Sequence, residues 1–345
     1  MSTRDETITI GTATAAPGQV GRGQLRVGAL SMGSELTMPV AIVNGRQPGP
    51  TLWLNGAVHG DEVNAFMAMR NLLAELDPET LKGAVVCTPL SNPASVHWRT
   101  KINNLDWLDM DQQFPGRADG TYSQRVAHVL FQSVRKYATH LISFHTVGTP
   151  FDGEPYTVYK FAPKMSEEAC ERTEAMALAF GTGINCRVDL ATASGEIAGG
   201  VAGALDVACS SAGITAFMAE LGSGGAFQDG PVAHGVAGLK SVMAHLGMVG
   251  SDLALPLPKD ARIVTRRAFV YADIPGMVAD CAAPGALVKA GTPLCRIIDF
   301  FDDKGGPSLS GDAIVIMSRR DPVVHEGDRI AFLALEWQAV PRDKD

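Results

Sequence analysis

Residues 51–62 read TLWLNGAVHGDE, an apolar run that opens into a glycine-containing turn carrying His59 and Glu62. A helical pattern follows at once in residues 64–76, NAFMAMRNLLAEL, where apolar residues recur at spacings of three and four. This order of strand, turn and helix predicts a buried strand of an α/β fold. Open α/β sheets form their sites beyond the carboxyl ends of such strands, which is where His59 and Glu62 stand.

The pair His59 and Glu62 has the residue types and the spacing of a metal site. Zinc takes nitrogen and oxygen ligands at about 2.0–2.2 Å, and a catalytic zinc site combines three protein ligands with one open position. A His and a Glu three residues apart also occur by chance in many chains, so the inference depends on their place at a strand end. We therefore expect one zinc ion and a third ligand, a histidine, from elsewhere in the chain.

His145 is the strongest candidate for the third ligand. It ends the apolar run THLISFHT, residues 139–146, and is the one other histidine placed like His59. His140 begins the same run and should face the opposite end of the sheet. The remaining histidines fall in helical patterns, loops or turns, where a solvated or hydrogen-bonded role is more typical: His97, His128, His234, His245 and His325.

A third apolar run, residues 214–219 in GITAFMAELGSGG, places Glu220 where it meets a glycine-rich turn. A carboxylate there, near water at a metal, can accept a proton and later pass it to a leaving nitrogen. Taken alone, Glu220 could equally begin a surface loop. The repeated strand-end placement favours the catalytic interpretation.

The ordered motifs NGAVHGDE, SNPASVHWR, DMDQQFPG, FHT and MAELGSGG resemble the succinylglutamate desuccinylase/aspartoacylase family of zinc-carboxypeptidase-like hydrolases. The resemblance covers roughly residues 48–225, and the C-terminal region is similar to the family's β-rich extension. It implies an α/β fold in which a zinc-carboxypeptidase-like mixed sheet is flanked by helices, followed by a smaller all-β, barrel- or sandwich-like domain. It also implies zinc on His59, Glu62 and His145, with Glu220 as general acid and base.

One motif departs from the family pattern DLNRxFPG, in which an Asn–Arg pair holds a substrate carboxylate or carbonyl. Here Asp111 and Gln112 occupy those positions. Glutamine lacks the bidentate fork of arginine, and an aspartate beside the metal repels anionic groups. We therefore expect a neutral or cationic amide rather than acyl-aspartate or succinylglutamate. The alternative is that Arg99, Lys101 or Arg187 supplies the missing charge.

A second departure is Ser143-Phe144-His145, where the family often has Asp-Leu-His. A carboxylate two residues before the ligand can orient its imidazole, so its loss predicts a different partner for His145.

Composition is typical of a globular enzyme and excludes several other classes. Hydrophobic residues make up 46% of the 345 and charged residues 19%, which is ample for a core. The net charge of −8 and the lack of a basic run argue against a nucleic-acid partner. The six cysteines form no CxxC motif, no apolar run reaches 18 residues, and the first residues lack an apolar signal segment. These features predict a cytoplasmic enzyme with no membrane partner.

The chain divides into two predicted parts. Residues 1–252 form the catalytic domain with a β-rich entrance, and the proline-rich residues 253–260 lead to a β domain over residues 261–345. Within the first part, residues 91–120 are predicted as a long functional loop, and residues 193–213 as a loop that covers the substrate. The β domain is expected to shape the active-site mouth or to form a contact in a homo-oligomer.

The sequence thus predicts a metal-dependent amidohydrolase that acts on a small N-acylated amine or amino acid. Substrate contacts are expected from Asp111, Gln112 and Lys101. Two alternatives stay open. A zinc carboxypeptidase for short peptides would use the same metal set with a cationic clamp for the terminal carboxylate. A zinc-stabilised binding protein that has lost catalysis would turn over no N-acyl amine.

Overall fold

A computed structural model describes residues 6–192 and 202–341. The strands are β1 (Ile8–Ile10), β2 (Ala13–Ala15), β3 (Gln19–Ala29), β4 (Glu35–Asn44), β5 (Gln47–Asn55), β6 (Lys82–Thr88), β7 (His140–His145), β8 (Phe151–Gly153), β9 (Tyr156–Phe161), β10 (Ile184–Asp189), β11 (Thr215–Glu220), β12 (Arg262–Tyr271), β13 (Gly276–Ala279), β14 (Leu287–Val288), β15 (Arg296–Ile298), β16 (Ala313–Arg319), β17 (Val323–Val324) and β18 (Arg329–Ala339). The helices are α1 (Asn64–Glu75), α2 (Pro93–Trp98), α3 (Tyr122–Tyr137), α4 (Glu167–Leu178), α5 (Leu205–Ser211) and α6 (Asp229–His245).

Twelve strands run side by side in one mixed sheet in the order β14-β16-β18-β12-β10-β9-β11-β7-β5-β6-β4-β3, and β8 pairs with β16 at its side. Helices cover both faces of its central part. The predicted α/β class, with a mixed sheet flanked by helices and further β structure at the C-terminal end, is confirmed.

The central strands are buried on both faces because their side chains alternate between two helical layers. Leu54 and Ile142 belong to the core that includes residues of α1, α4 and α6. Trp53 and Leu141, one position earlier on the same strands, pack in the core that includes α3 and α5. This two-sided burial explains why the strands read as continuous apolar runs rather than as alternating ones.

Strands β5, β7 and β11 are adjacent and parallel, with Asn55 opposite Ser143 and His145 opposite Glu220. Their carboxyl ends therefore meet at one edge of the sheet. The strands that precede His59 and His145 therefore lie side by side, and the strand of Glu220 lies next to them.

The predicted loop over residues 91–120 contains local structure that the sequence pattern did not reveal. Helix α2 begins after Asn92, whose side chain accepts a hydrogen bond from the Ser95 amide, and Pro93 stands in its first turn. A 3₁₀ turn follows at Met110–Gln112. Six residues are too few to establish a helical period, which is why the pattern gave no sign of α2.

A second loop was predicted over residues 193–213. Of this predicted covering loop, residues 193–201 lie outside the described residues, and α5 occupies most of the remainder.

The C-terminal strands extend the main sheet. β12 pairs in parallel with β10, and β18 and β16 follow in antiparallel order. A separate small sheet has the order β15-β13-β17. The division into residues 1–252 and 261–345 remains a prediction. Among the described residues, no helix is both long and apolar enough to cross a membrane.

Candidate active site

A cavity of about 540 Å³ opens at the edge where β5, β7 and β11 end. His59, Glu62, His145 and Glu220 all line it. The four residues that were predicted from strand-end placement therefore share one space, although they are up to 161 positions apart in the chain.

The two imidazoles and the Glu62 carboxylate converge at the cavity floor. The Nδ1 atom of His59 lies 2.8 Å from Oε1 of Glu62, and Nδ1 of His145 lies 3.0 Å from Oε2. The two Nδ1 atoms are 3.4 Å apart. Within the described residues, these three form the one group of His, Cys, Asp and Glu side chains with metal-ligand proximity, and all three are buried.

The turn that carries His59 depends on close contact with α2. Gly60 lies so near to the helix that a Cβ on this residue would be 1.7 Å from the carbonyl oxygen of Ser95. The Gly60 amide donates a hydrogen bond to the carbonyl of Thr100 at 2.9 Å. The short helix therefore fixes the path of the turn, and with it the direction of the His59 ring.

The outer nitrogen of each imidazole also has a polar neighbour. Nε2 of His59 lies 3.0 Å from Oδ1 of Asp109. Nε2 of His145 lies 3.4 Å from the Ser143 hydroxyl and 3.9 Å from Oδ1 of Asp111. Such partners orient an imidazole and leave Nδ1 facing the cavity floor. Ser143 thus stands at the position of the family's aspartate, and its hydroxyl and the Asp111 carboxylate are the polar neighbours of His145 Nε2.

Asp109 lines the cavity, but the sequence pattern did not single it out, because it appears there only within the motif DMDQQFPG. Its backbone neighbour Asp111 donates an amide hydrogen bond to it at 3.0 Å. Burial raises the pKa of Asp109, but the hydrogen bond with His59 and the positive charges of His59 and Lys101 together outweigh burial and lower this pKa. The sequence signal for Asp109 is its place as the first residue of the DxxxxFPG motif.

The donor set fits zinc. Two nitrogens held tetrahedrally at about 2.1 Å from zinc lie about 3.4 Å apart, which matches the separation of the two Nδ1 atoms. The electrostatics also favour a cation. Burial lowers the pKa of His59, but the negative charge of Glu62 and the hydrogen bonds with Asp109 and Glu62 together outweigh burial and raise this pKa to about 10. Two nitrogens, one carboxylate and adjoining cavity space correspond to a catalytic rather than a closed structural site.

Glu220 reaches the cavity from β11, next to His145. Its Oε2 atom is buried and has no hydrogen-bond partner among the described residues. Burial raises the pKa of Glu220 to about 7. A carboxyl group with this pKa can take up and release a proton near neutral pH.

The three predicted substrate contacts also line the cavity: Lys101, Asp111 and Gln112. Burial raises the pKa of Asp111, and its Oδ1 atom has no hydrogen-bond partner among the described residues. The Lys101 ammonium lies 3.7 Å from Asp109. Of the three cations considered as replacements for the family arginine, Lys101 lines the cavity, whereas Arg99 and Arg187 are not among its lining residues in the described part of the chain.

The C-terminal strands provide a second wall of the cavity, which we call the C-terminal wall: Arg267, Phe269, Met317, Arg329 and Phe332. The rings of Phe269 and Phe332 stack with centroids 4.4 Å apart. The guanidinium of Arg329 lies 4.2 Å from the Phe269 ring centre, and that of Arg267 lies 5.9 Å from the Phe332 ring centre. Residues of the predicted C-terminal β part thus line this cavity, and none of them was predicted individually.

Comparisons with known proteins agree with this architecture. The catalytic-domain profile of the succinylglutamate desuccinylase/aspartoacylase family matches residues 48–246. An Nα-acetyl-L-2,4-diaminobutyric acid deacetylase from Halomonas elongata is 24% identical over 86% of this chain and 85% of its own.

Two solved structures share the fold. A succinylglutamate desuccinylase/aspartoacylase from Rhodobacter sphaeroides has a TM-score of 0.77 at 24% identity and covers 94% of this chain and 96% of its own. The product-bound ectoine utilization protein EutE (DoeB) from Ruegeria pomeroyi has a TM-score of 0.78 at 22% identity and covers 92% and 95%. Because the profile spans more than half of the sequence, the chain belongs to the succinylglutamate desuccinylase/aspartoacylase family, a family of deacylases.

Proposed function

We propose that this protein is a zinc-dependent deacylase that hydrolyses the amide bond of a small N-acylated amino acid or amine of neutral or cationic overall charge. The observation that supports this most strongly is the convergence of two imidazole Nδ1 atoms and one carboxylate beside the buried Glu220. A deacylase needs both a metal-ligand set and a proton carrier within reach of one carbonyl group.

The ligands of the metal would be Nδ1 of His59, Nδ1 of His145 and the carboxylate of Glu62. When bound there, zinc supplies Lewis acidity, which lowers the pKa of water and polarises an acyl carbonyl group. Asp109 and Ser143 hold the outer nitrogens of the two rings. Their part in the mechanism is to keep both imidazoles in the orientation that faces Glu62.

Glu220 is proposed to move the proton. As water adds to the acyl carbon, the Glu220 carboxylate accepts a proton from that water. The protonated carboxyl group then donates this proton to the amide nitrogen as the bond between carbon and nitrogen breaks. The products are a carboxylic acid and an amine, which become a carboxylate and an ammonium ion when the acid passes its proton to the amine through water. Burial supports both halves of this cycle because it holds the pKa of Glu220 at about 7.

Substrate charge is proposed to be set by Asp111. Its buried carboxylate faces the same cavity as the metal ligands, so a substrate ammonium group is attracted and a second carboxylate is repelled there. The compound named for the Halomonas elongata relative has these features, since Nα-acetyl-2,4-diaminobutyrate carries one ammonium group and one carboxylate and is neutral overall.

The test is a substrate panel with the zinc-loaded protein, with amine release as the readout. We expect turnover of Nα-acetyl-2,4-diaminobutyrate and of N-acetylated diamines, and little turnover of N-acetylaspartate. C-terminal release from short peptides would support the carboxypeptidase alternative instead. Absence of turnover across the panel, with one zinc bound per chain by elemental analysis, would favour the binding-protein alternative and refute the proposal.

A further inference from the structure

The small sheet β15-β13-β17 contains a bulge next to its last regular cross-strand pair. That pair is Ala279 of β13 with Arg296 of β15. Beyond it, the Ala282 amide donates a hydrogen bond to the Leu294 carbonyl at 2.9 Å. Between these two contacts the first chain segment has two residues and the second has only Cys295, which is the count that defines a β-bulge.

The bulge places two cysteines opposite each other. Its two residues are Asp280, whose φ of 49° is the left-handed conformation of one common bulge type, and Cys281. Opposite residues of antiparallel strands have Cβ atoms about 4.5–5.5 Å apart, close to the distance of about 3.5–4.5 Å that a disulfide requires. Cys281 is partly buried and Cys295 is 2% exposed, and both pack in one apolar cluster.

The two thiols are free, and a hydrogen bond between them makes them unequal. This hydrogen bond lowers the pKa of Cys281, and the amide and the charge of Arg319 lower it as well, against burial and the charge of Asp152. The same hydrogen bond, together with burial, raises the pKa of Cys295. Cys281 is therefore the thiol that loses its proton first, while Cys295 keeps its proton beside it.

All six cysteines lie in the described part of the chain, and the other four are placed differently. Cys87, Cys186 and Cys209 are fully buried. Cys170 is partly exposed, as Cys281 is, but burial and a set of acidic neighbours raise its pKa. Because the thiolate is the nucleophilic form of cysteine, Cys281 combines access and acidity in a way that these four do not.

We propose that Cys281 and Cys295 are a redox-active pair that forms a disulfide by exchange with a small-molecule disulfide such as oxidised glutathione. Neither residue lines the cavity described above, so the proposal does not depend on the deacylase function. Cys281 is the attacking thiol, and Cys295 is the resolving thiol.

The exchange takes place in two steps. The Cys281 thiolate attacks one sulfur of the small-molecule disulfide, forms a mixed disulfide and releases one thiolate. Cys295 then attacks the sulfur of Cys281, releases the second thiolate and closes the protein disulfide. The small-molecule disulfide gains the two electrons that the protein thiols lose, and the two thiol protons pass to the two released thiolates.

The test is mass spectrometry of the zinc-loaded full chain after exposure to oxidised glutathione at neutral pH, with free thiols alkylated under denaturing conditions. We expect a product that has lost two hydrogens, in which a disulfide links the peptides of Cys281 and Cys295. Dithiothreitol should restore all six free thiols. Cys281 should react at least about 10-fold faster than Cys170, because a larger fraction of it is thiolate.

Cys295→Ser separates the two steps. It keeps the attacking thiol and removes the resolving one, so glutathione should stay attached to Cys281 and no protein disulfide should form. Cys295→Ala is the second variant if the serine variant fails to fold by circular dichroism. Cys281→Ser should leave Cys295 unmodified, because that thiol is buried. Cys170→Ser is the matched control, since it changes another partly exposed cysteine, and should give the wild-type yield of disulfide.

Two results would overturn the proposal. One is a wild type in which Cys281 and Cys295 both stay free, whether or not glutathione modifies Cys170. The other is a wild type that accumulates the glutathione adduct of Cys281 to the same extent as Cys295→Ser, since Cys295 would then be out of reach of the mixed disulfide.

Discussion

The two walls of the cavity are built in different ways. The strand-end wall takes His59, His145 and Glu220 from the carboxyl ends of three adjacent parallel strands. The C-terminal wall takes Arg267 and Phe332 from the interiors of two antiparallel strands. The first wall holds imidazoles and carboxylates, and the second holds guanidinium groups and aromatic rings. The first wall thus carries the residues of the proposed reaction, and the second lines the space in which the substrate would lie.

The largest expected effect comes from the metal ligands. Glu62→Gln removes the charge that draws both imidazoles together, so zinc content and turnover should fall with every substrate, turnover by several orders of magnitude. Elemental analysis and amine release measure the two losses. Treatment of the wild type with a chelator should have the same effect, and added zinc should reverse it. Glu79→Gln, a surface substitution in a pair with Arg46, is the control. Full activity of Glu62→Gln would show that the metal-ligand set of the strand-end wall is not required for catalysis.

Glu220→Gln should lower kcat by about 10²- to 10⁴-fold while zinc stays bound, because the amide cannot accept the proton. In the wild type, burial raises the pKa of Glu220 to about 7. The carboxylate form is the active one, so kcat/KM should rise with pH through about 7 and then level off. A pH profile of the variant that keeps this acidic limb would assign the titration to another group.

Gly60→Ala tests how strictly the backbone positions the strand-end wall. The added methyl group would overlap the Ser95 carbonyl, so the turn must shift, with an expected loss of about 1–3 kcal/mol in unfolding free energy and a lower zinc affinity. Chemical denaturation and metal titration measure these changes. Gly230→Ala is the matched control, since nothing lies within 4 Å of its added Cβ in α6. Equal stability of the two variants would show that the turn tolerates displacement.

The smallest expected effect is a change of substrate preference. Asp111→Asn combined with Gln112→Arg restores the family's Asn–Arg pair and should move the kcat/KM ratio toward N-acetylaspartate by about 10- to 100-fold. Comparison of N-acetylaspartate with Nα-acetyl-2,4-diaminobutyrate on the wild type and the double variant measures it. If the ratio stays constant, Asp111 and Gln112 do not set the substrate preference.

Local patterns predicted much of the catalytic framework. The apolar runs before His59, His145 and Glu220 gave three strands, and the helical pattern of residues 64–76 gave α1, which spans Asn64–Glu75. Such patterns can be recognised in the sequence because each depends only on residues that are close together along the chain. The family motifs then indicated which strand-end residues belong together, and the structure places them around one cavity. Their roles as ligands and proton carrier remain predictions until the variants above are measured.

The sequence by itself determined which residues stand at strand ends, because burial on both faces imposes a long apolar run that stops where the polar site begins. Tertiary structure alone decided which arginine enters the cavity. Arg266 and Arg267 are consecutive and chemically identical, yet one faces solvent and pairs with Glu336 while the other is buried. The register of β12 against β18 shifts on both sides of Arg266, between Val264 and Arg266 and again between Arg266 and Arg267. Consecutive residues of a strand point to opposite faces, so the alternation of β12 separates the two arginines, and the pairing of β12 with β10 and β18 decides which of them faces the cavity.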